Sequence, residues 1–358
     1  MKITKRTPKG QAINNNRTET IESVENYDHY IAVDWSQKTM SIARISSKQP
    51  DKVKIRTTDT DITELKEQLQ SLKGKRVLTI EESSPAHWLY VELHDCVERI
   101  IVCDPYKNKL INDGPKNDPI DARKLCLLLK GGLLREVYHT TEQIYGLRKL
   151  VSGYLDIVKM GVRLKNQRAG FLSQTGKPKN TKELPTAATD RFMQERLNSF
   201  IETYEKTRED YQQLFIERCK DDKRLRCLKS VPGIGEVLAV QILAITIDAC
   251  RFKTIGKYLA YCGLVKYSRE SGGKTYGRRN SRYSRVLKAT YKMAASSAIN
   301  GNNPIHEYYE SMLKKGIPDY NARHKVARYI AHVCFGIMKQ PKKYQPYLWR
   351  EKKMDNKE

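Results

Sequence analysis

The chain has 358 residues, and 66 Lys and Arg stand against 41 Asp and Glu, a formal charge of +25. That much like charge repels itself in a folded body, so a polyanionic partner is expected: nucleic acid first, an anionic membrane second. No apolar run reaches the roughly eighteen residues of a membrane span, and the N-terminal "MKITKRTPKGQAINNNRTET" lacks the apolar core of a secretory signal. Eight cysteines without a CxxC pair exclude zinc-ribbon spacing and read as reduced, mostly core residues of a cytoplasmic protein.

Residues 1–27 read as a disordered polar arm. From Tyr30 the pattern becomes regular: "YIAVDWS", "MSIARIS" and "KVKIRTT" are three strands in quick succession. "ITELKEQLQSL" has helical spacing, "RVLTIEE" is a strand, "AHWLYVELHDCV" a helix, "RIIVCDP" a strand, and "PIDARKLCLLLKGG" a helix ended by two glycines. The order β-β-β-α-β-α-β-α is that of a ribonuclease H-like (RuvC-like) α/β domain, predicted over 28–136.

Two long helical patterns follow. Ile144, Leu147, Val151, Tyr154 and Val158 step by three or four, as do most of Leu197, Phe200, Tyr204, Tyr211 and Phe215. With the polar turn "SQTGKPKNTKELPTAATD" between them they predict a coiled-coil helical hairpin over 137–226, a candidate dimerisation arm. A mainly helical domain is predicted over 227–345, with a basic tail at 346–358. It opens with "SVPGIGEVLA", a helix-hairpin-helix-like PGIG turn whose Gly233 and Gly235 would offer backbone N–H groups to a phosphate; an ordinary tight helix–helix turn explains it equally well.

Five carboxylates fall at telling places. Asp34 ends the first strand, Glu81 and Glu82 close the fourth, and Asp118 and Asp121 begin the helix after the fifth. In this fold the first and fourth strands are neighbours, so their ends and that helix share one patch. Carboxylates converging there suit two Mg²⁺ ions about 3.5–4 Å apart, positioned for in-line attack on a phosphodiester. Adjacent Glu81 and Glu82 face opposite sides of a strand, so only one joins the patch. "DPID" is also a good helix start, with Asp118 as N-cap, Pro119 first in the helix and Asp121 third.

"SRESGGKTYGRRNSRY" (268–283) is strongly basic: from Lys266 to Lys288 eight Lys or Arg face one acid, Glu270. It reads as a solvated loop gripping a phosphate backbone, or as one whose serine reacts with it. A serine hydroxyl needs activation, and the phosphorane charge needs cations; Lys274, Arg278, Arg279 and Arg282 could supply them, while Gly272 and Gly273 allow close approach.

"AVDWS", "IEESSPAHW", "KNDPIDARKL", "SVPGIGEVLA", "CRFKTIGKYLAYCGLV" and "ESGGKTYGRR" occur together and in order. In this the chain resembles the DEDD-type transposases of insertion-sequence family one-hundred-and-ten, related to the Piv DNA invertases, over roughly 28–345. The resemblance implies Asp34, Glu82, Asp118 and Asp121 as Mg²⁺ ligands, with Mn²⁺ an alternative. Glu82 is preferred to Glu81 because a small-residue pair follows it and Trp88 stands six positions on. It implies Ser271 as a nucleophile that links covalently to DNA, working with the metal cluster of another protomer.

The partners it implies are donor and target DNA, a structured bridge RNA that pairs with both, and a homodimer assembling to a tetramer in the nucleoid. Relatives carry Gly-Asn where this chain has Asn280-Ser281, and an apolar residue at Ser284, so the turn before the next helix is expected to be built differently. Two other readings remain: a RuvC-like nuclease or DDE-type transposase without a covalent intermediate, and a nucleic-acid scaffold.

Overall fold

The computed structural model describes residues 26–106, 117–141, 144–181 and 183–346. The arm predicted at 1–27, apart from its last two residues, and all but the first residue of the tail at 346–358 lie outside them. The chain divides into two units, Met1–Thr141 and Glu142–Glu358.

In the first unit β1 (His29–Trp35), β2 (Thr39–Ser46) and β3 (Gln49–Asp59) form an antiparallel meander. After α1 (Ile62–Ser71), β4 (Arg76–Glu81) lies parallel to β1; after α2 (Ala86–Leu93), β5 (Arg99–Cys103) lies parallel to β4. The sheet order is β3-β2-β1-β4-β5, a mixed α/β arrangement that agrees with the ribonuclease H-like expectation. Its central strands are apolar at both parities because helices cover both faces. Ile31, Val33, Leu78, Ile80 and Val102 meet Leu65, Leu69 and Leu89 of α1 and α2. Tyr30, Ala32, Val77, Ile101 and Cys103 meet Ala122, Leu125, Cys126 and Leu129 of α3 (Asp118–Lys130) on the other face. The outermost strand, β3, exposes Lys52, Lys54 and Arg56, charges that discourage edge-to-edge pairing.

Beyond α3 the chain returns along β5: Asp104 N–H donates to Arg135 O (2.9 Å) and Val137 N–H to Val102 O (2.7 Å). The unit therefore runs to Thr141 rather than 136 and carries His139 with it.

Among its described residues the second unit has helices and one hairpin. Helices α4 (Ile144–Gln174) and α5 (Ala188–Cys219) pack along each other, and each is about 46 Å long at 1.5 Å per residue. Gly161 makes the close approach, for a Cβ there would fall 2.2 Å from the Tyr204 ring. Near the base of the pair Tyr154, Tyr211 and Phe215 form an aromatic cluster with centroids 5.3–6.4 Å apart. That base is not a separate domain: Leu147, Val151, Tyr154 and Phe215 share one core with the C-terminal helices. Phe200, predicted to lie in the seam, is instead 59% exposed.

That core is built around α7 (Glu236–Thr246), buried continuously from Ala239 to Thr246. Around it stand α6 (Lys223–Leu228), α8 (Ile255–Tyr261), α9 (Arg285–Ile299), α10 (Pro304–Leu313) and α11 (Asp319–Lys339). Its buried polar atoms are paired with each other, as in Tyr258–Tyr291 (2.5 Å between hydroxyls) and Thr290–Gln241 (2.7 Å). Between α8 and α9 the predicted loop is a β-hairpin, β6 (Tyr267–Ser271) and β7 (Lys274–Arg279).

Candidate functional site

Three aspartates converge at one end of the first unit's sheet. Asp34 is the sixth residue of β1, and strand alternation turns it to the α3 face with Tyr30 and Ala32. Asp118 and Asp121 lie three apart in the first turn of α3, hence on one side of the helix. The capping role assigned to Asp118 belongs to Asn117, whose Oδ1 accepts from Ile120 N–H at 2.9 Å. The helix start thus leaves both aspartates available.

Their proximity shows in the electrostatics. Burial, then the negative charges of Asp118 and Asp121, push Asp34 up to about 6. Asp121 Oδ1 is buried and has no hydrogen-bond partner among the described residues. An orphaned carboxylate oxygen beside mutually repelling carboxylates suits a hard divalent cation, and the donor set is all oxygen, as Mg²⁺ prefers. Among the described residues no three His, Cys, Asp or Glu side chains are gathered tightly enough to hold an ion.

The glutamate preferred from its sequence surroundings, Glu82, is held by a histidine. Nε2 of His139 donates to Glu82 Oε2 at 2.7 Å, since a carboxylate only accepts. His139 is buried against α2, with ring centroids 5.8 Å from His87 and 5.6 Å from Tyr90. Glu82 therefore lies on the α2 side, following Leu78 and Ile80, whereas Glu81 shares parity with Val77 and Thr79 on the α3 side. The ladder pairs Val33 with Ile80, which sets Glu81 beside Asp34. His139 is the residue sequence reading missed; no spacing ties it to a glutamate 57 positions earlier.

In the second unit Ser271 ends β6 and pairs with Lys274 across a two-residue turn, Gly272-Gly273. Both glycines have positive φ (+55° and +74°), which the primed hairpin turn demands and side chains resist. Glycine here closes a turn, and the predicted loop is a hairpin for that reason. An extra residue at Gly277 (φ +122°) shifts the register, so Tyr267 pairs with Arg279 and Ser268 with Arg278. Of the four predicted cations, Lys274 and Arg279 thus share the Ser271 face; Arg278 is on the reverse, and Arg282 follows the hairpin. Arg269, not singled out from the sequence, joins the Ser271 face by alternation. Of the competing serines, Ser284 caps α9 by accepting from Leu287 N–H (3.2 Å), and Ser281 donates to Ala260 O (3.3 Å).

The PGIG turn resolves differently for its two glycines. Gly233 (φ +85°) faces α9 so closely that a Cβ would lie 2.2 Å from Ala294 O, which makes it a packing residue rather than a phosphate contact. Gly235 is exposed before α7, but Glu236 in the first turn, paired with Lys229, places an acid where an anion would dock.

Two family models match this chain. One, for DEDD transposases of the IS110 type, covers residues 31–177, including Asp34, Glu81, Glu82, Asp118 and Asp121; the other, described as "Transposase IS116/IS110/IS902 family", covers 225–310, including the hairpin. An uncharacterized 44.8 kDa protein of insertion element IS116 from Streptomyces clavuligerus is 28% identical over 131 residues, 36% of this chain and 33% of the relative. An uncharacterized 43.6 kDa protein of insertion element IS110 from Streptomyces coelicolor is 26% identical over 119 residues, 33% of this chain and 29% of the relative. The matches span about a third of the length of these curated relatives. By these two family-model matches and by the names of its homologues, the chain is similar to the DEDD transposases of the IS110/IS116 family.

Proposed function

We propose that this protein is an insertion-element DNA transposase that cuts and rejoins strands through a phosphoserine on Ser271, guided by a structured bridge RNA. The observation that carries the proposal is the aspartate cluster: burial and the charges of Asp118 and Asp121 raise the cost of ionising Asp34, and an oxygen of Asp121 has no partner among the described residues. A scaffold has no use for such an arrangement, whereas phosphodiester chemistry does. Asp34, Asp118, Asp121 and a glutamate from the end of β4 would hold Mg²⁺ or Mn²⁺, which supplies Lewis-acid stabilisation of phosphate oxygens when bound. Strand alternation favours Glu81 for that fourth place, with Glu82 engaged by His139.

The remaining work falls to the chain's own groups. The Ser271 Oγ–H loses its proton as Oγ bonds to phosphorus; the bond from phosphorus to one deoxyribose oxygen breaks, and that oxygen takes up a proton. Rejoining reverses the sequence with a new deoxyribose hydroxyl as attacker, and no electrons are exchanged. Arg269, Lys274 and Arg279 on the same face would offset the charge that develops on the phosphoryl oxygens. Because the carboxylates and Ser271 belong to different units, pairing one protomer's cluster with another's serine in a dimer or tetramer is part of the proposal. Exposed Met160, Val162, Phe192 and Met193 on α4 and α5 offer such assembly an apolar surface. Work on nucleoid DNA is compatible with the +25 charge and with the lack, among the described residues, of a helix long and apolar enough to cross a membrane.

The test combines the protein, Mg²⁺, the non-coding RNA that flanks its coding region and end-labelled target DNA. A protease-sensitive protein–DNA adduct that disappears in Ser271→Ala is expected, along with dependence on the RNA. Cleavage that persists in Ser271→Ala without any adduct identifies a water- or hydroxyl-using nuclease or transposase instead. Adduct formation indifferent to the RNA removes the guide from the proposal.

A further inference from the structure

The register of the β6–β7 hairpin sorts its side chains into two unlike faces. Tyr267, Arg269 and Ser271 alternate along β6 onto one face; Lys274 pairs with Ser271, Tyr276 follows Lys274 by two, and Arg279 pairs with Tyr267. The reverse face carries Ser268, Glu270, Thr275 and Arg278, where the hairpin's one acid offsets its one base. The shift at Gly277 is what divides them, because regular alternation beyond Tyr276 would set Arg278, not Arg279, on the Ser271 face. One face therefore sets Ser271 among cations and aromatic rings with no acid, and the other is neutral.

The two tyrosines on the cationic face are open to solvent, Tyr267 at 51% and Tyr276 at 70%. Among the described residues none of the six side chains on that face makes a hydrogen bond, ion pair or ring contact. Exposed aromatic rings unused in folding call for a partner. Cations alone would suit a duplex, whose phosphates are outside and whose base faces are covered by stacking. Rings interleaved with cations suit a strand whose bases are unstacked, since each base has a face to stack and each link a phosphate to pair.

We propose that this face is a platform for single-stranded DNA, on which Tyr276 stacks an unpaired base beside the phosphodiester that Ser271 addresses. Tyr276 and Ser271 are linked through Lys274, which alternates with the first and pairs with the second, so a base held on the ring brings its own phosphate into the serine's neighbourhood. Arg269 and Arg279 hold the backbone on either side. The occupant is DNA rather than RNA because the proposal rests on Ser271 acting on DNA; Tyr276 is then a positioning residue for that reaction.

A short single-stranded DNA oligonucleotide carrying 2-aminopurine, titrated with the full chain, tests this. Expected are quenching of the base by the wild type and loss of quenching in Tyr276→Ala. Affinity should fall by about 5- to 140-fold, the span of one base–aromatic stack. Tyr276→Phe keeps both, Thr275→Ala on the reverse face behaves as the wild type, and duplex affinity is unchanged in Tyr276→Ala. Wild-type affinity in Tyr276→Ala, equal losses on single strand and duplex, or a loss seen with RNA but not with DNA would each overturn the platform. An adduct assay run alongside separates the two proposals. A Ser271 adduct with no Tyr276 effect leaves the transposase reading intact. Base stacking on Tyr276 without any adduct leaves the platform and removes the phosphoserine.

Discussion

Nε2 of His139 holds the carboxylate of Glu82 at 2.7 Å on the α2 side of the first unit's sheet, while Glu81, one residue earlier, is directed to the side of Asp34. A glutamate fixed by a buried histidine is a poor candidate to swing through the sheet plane toward a cation. Glu81→Gln should therefore weaken Mn²⁺ binding at least about tenfold, whereas Glu82→Gln should leave it near wild type and lower the melting temperature. Titration followed by Mn²⁺ paramagnetic resonance reads this without any DNA. The opposite pattern would restore Glu82 as the ligand.

Asn117 takes the helix-capping role that would otherwise occupy an aspartate of the cluster. Asn117→Ala should cost about 1 kcal/mol of stability through the lost cap. Asn117→Asp should keep the cap and most of that stability, since both side chains accept from the same N–H. Thermal melts of the pair, with and without Mg²⁺, distinguish a capping residue from a metal ligand: only the former predicts that Asn117→Ala keeps Mg²⁺-dependent stabilisation.

The raised Asp34 carboxyl gives the metal-free protein a pH signature. Its folded value of about 6 stands above the ordinary 3.8, so the folded chain holds a proton that the unfolded chain has released. The associated stability is fully present below about 3.8 and is lost as pH rises through about 6. Melting temperatures in chelator should show this fall as a difference between wild type and Asp34→Asn, which lacks the titrating group. Saturating Mg²⁺ should remove it, because a bound cation favours the ionised carboxylate. A flat difference across pH 4–7 would mean that neither burial nor the neighbouring aspartates raise the Asp34 carboxyl.

Gly233 and Gly235 should part company under the same substitution. Gly233→Ala combines φ +85° with a Cβ 2.2 Å from Ala294 O and should cost more than about 2 kcal/mol. At Gly235 the added methyl meets open space, leaving only the roughly 1 kcal/mol preference of an N-cap for other residues. Denaturant melts measure both. Equal, small losses would remove the close approach of α9.

The sequence by itself determined the strand and helix order of the first unit, because apolar alternation and helical spacing are local signals. It also marked Asp34, Asp118 and Asp121, whose places follow from that order. It marked Gly272 and Gly273 as special without revealing the hairpin they close, since the flanking residues are polar on both faces and show no apolar alternation. Tertiary structure decided what depends on long-range pairing. The return strand that carries His139 to Glu82 spans 57 positions, and no local pattern encodes it. Strand register, set by Val33 against Ile80, places Glu81 at the ladder position next to Asp34. One extra residue at Gly277 decided which arginine stands with Ser271. Side-chain direction in a sheet alternates with every residue, so a single step of register changes what a site contains.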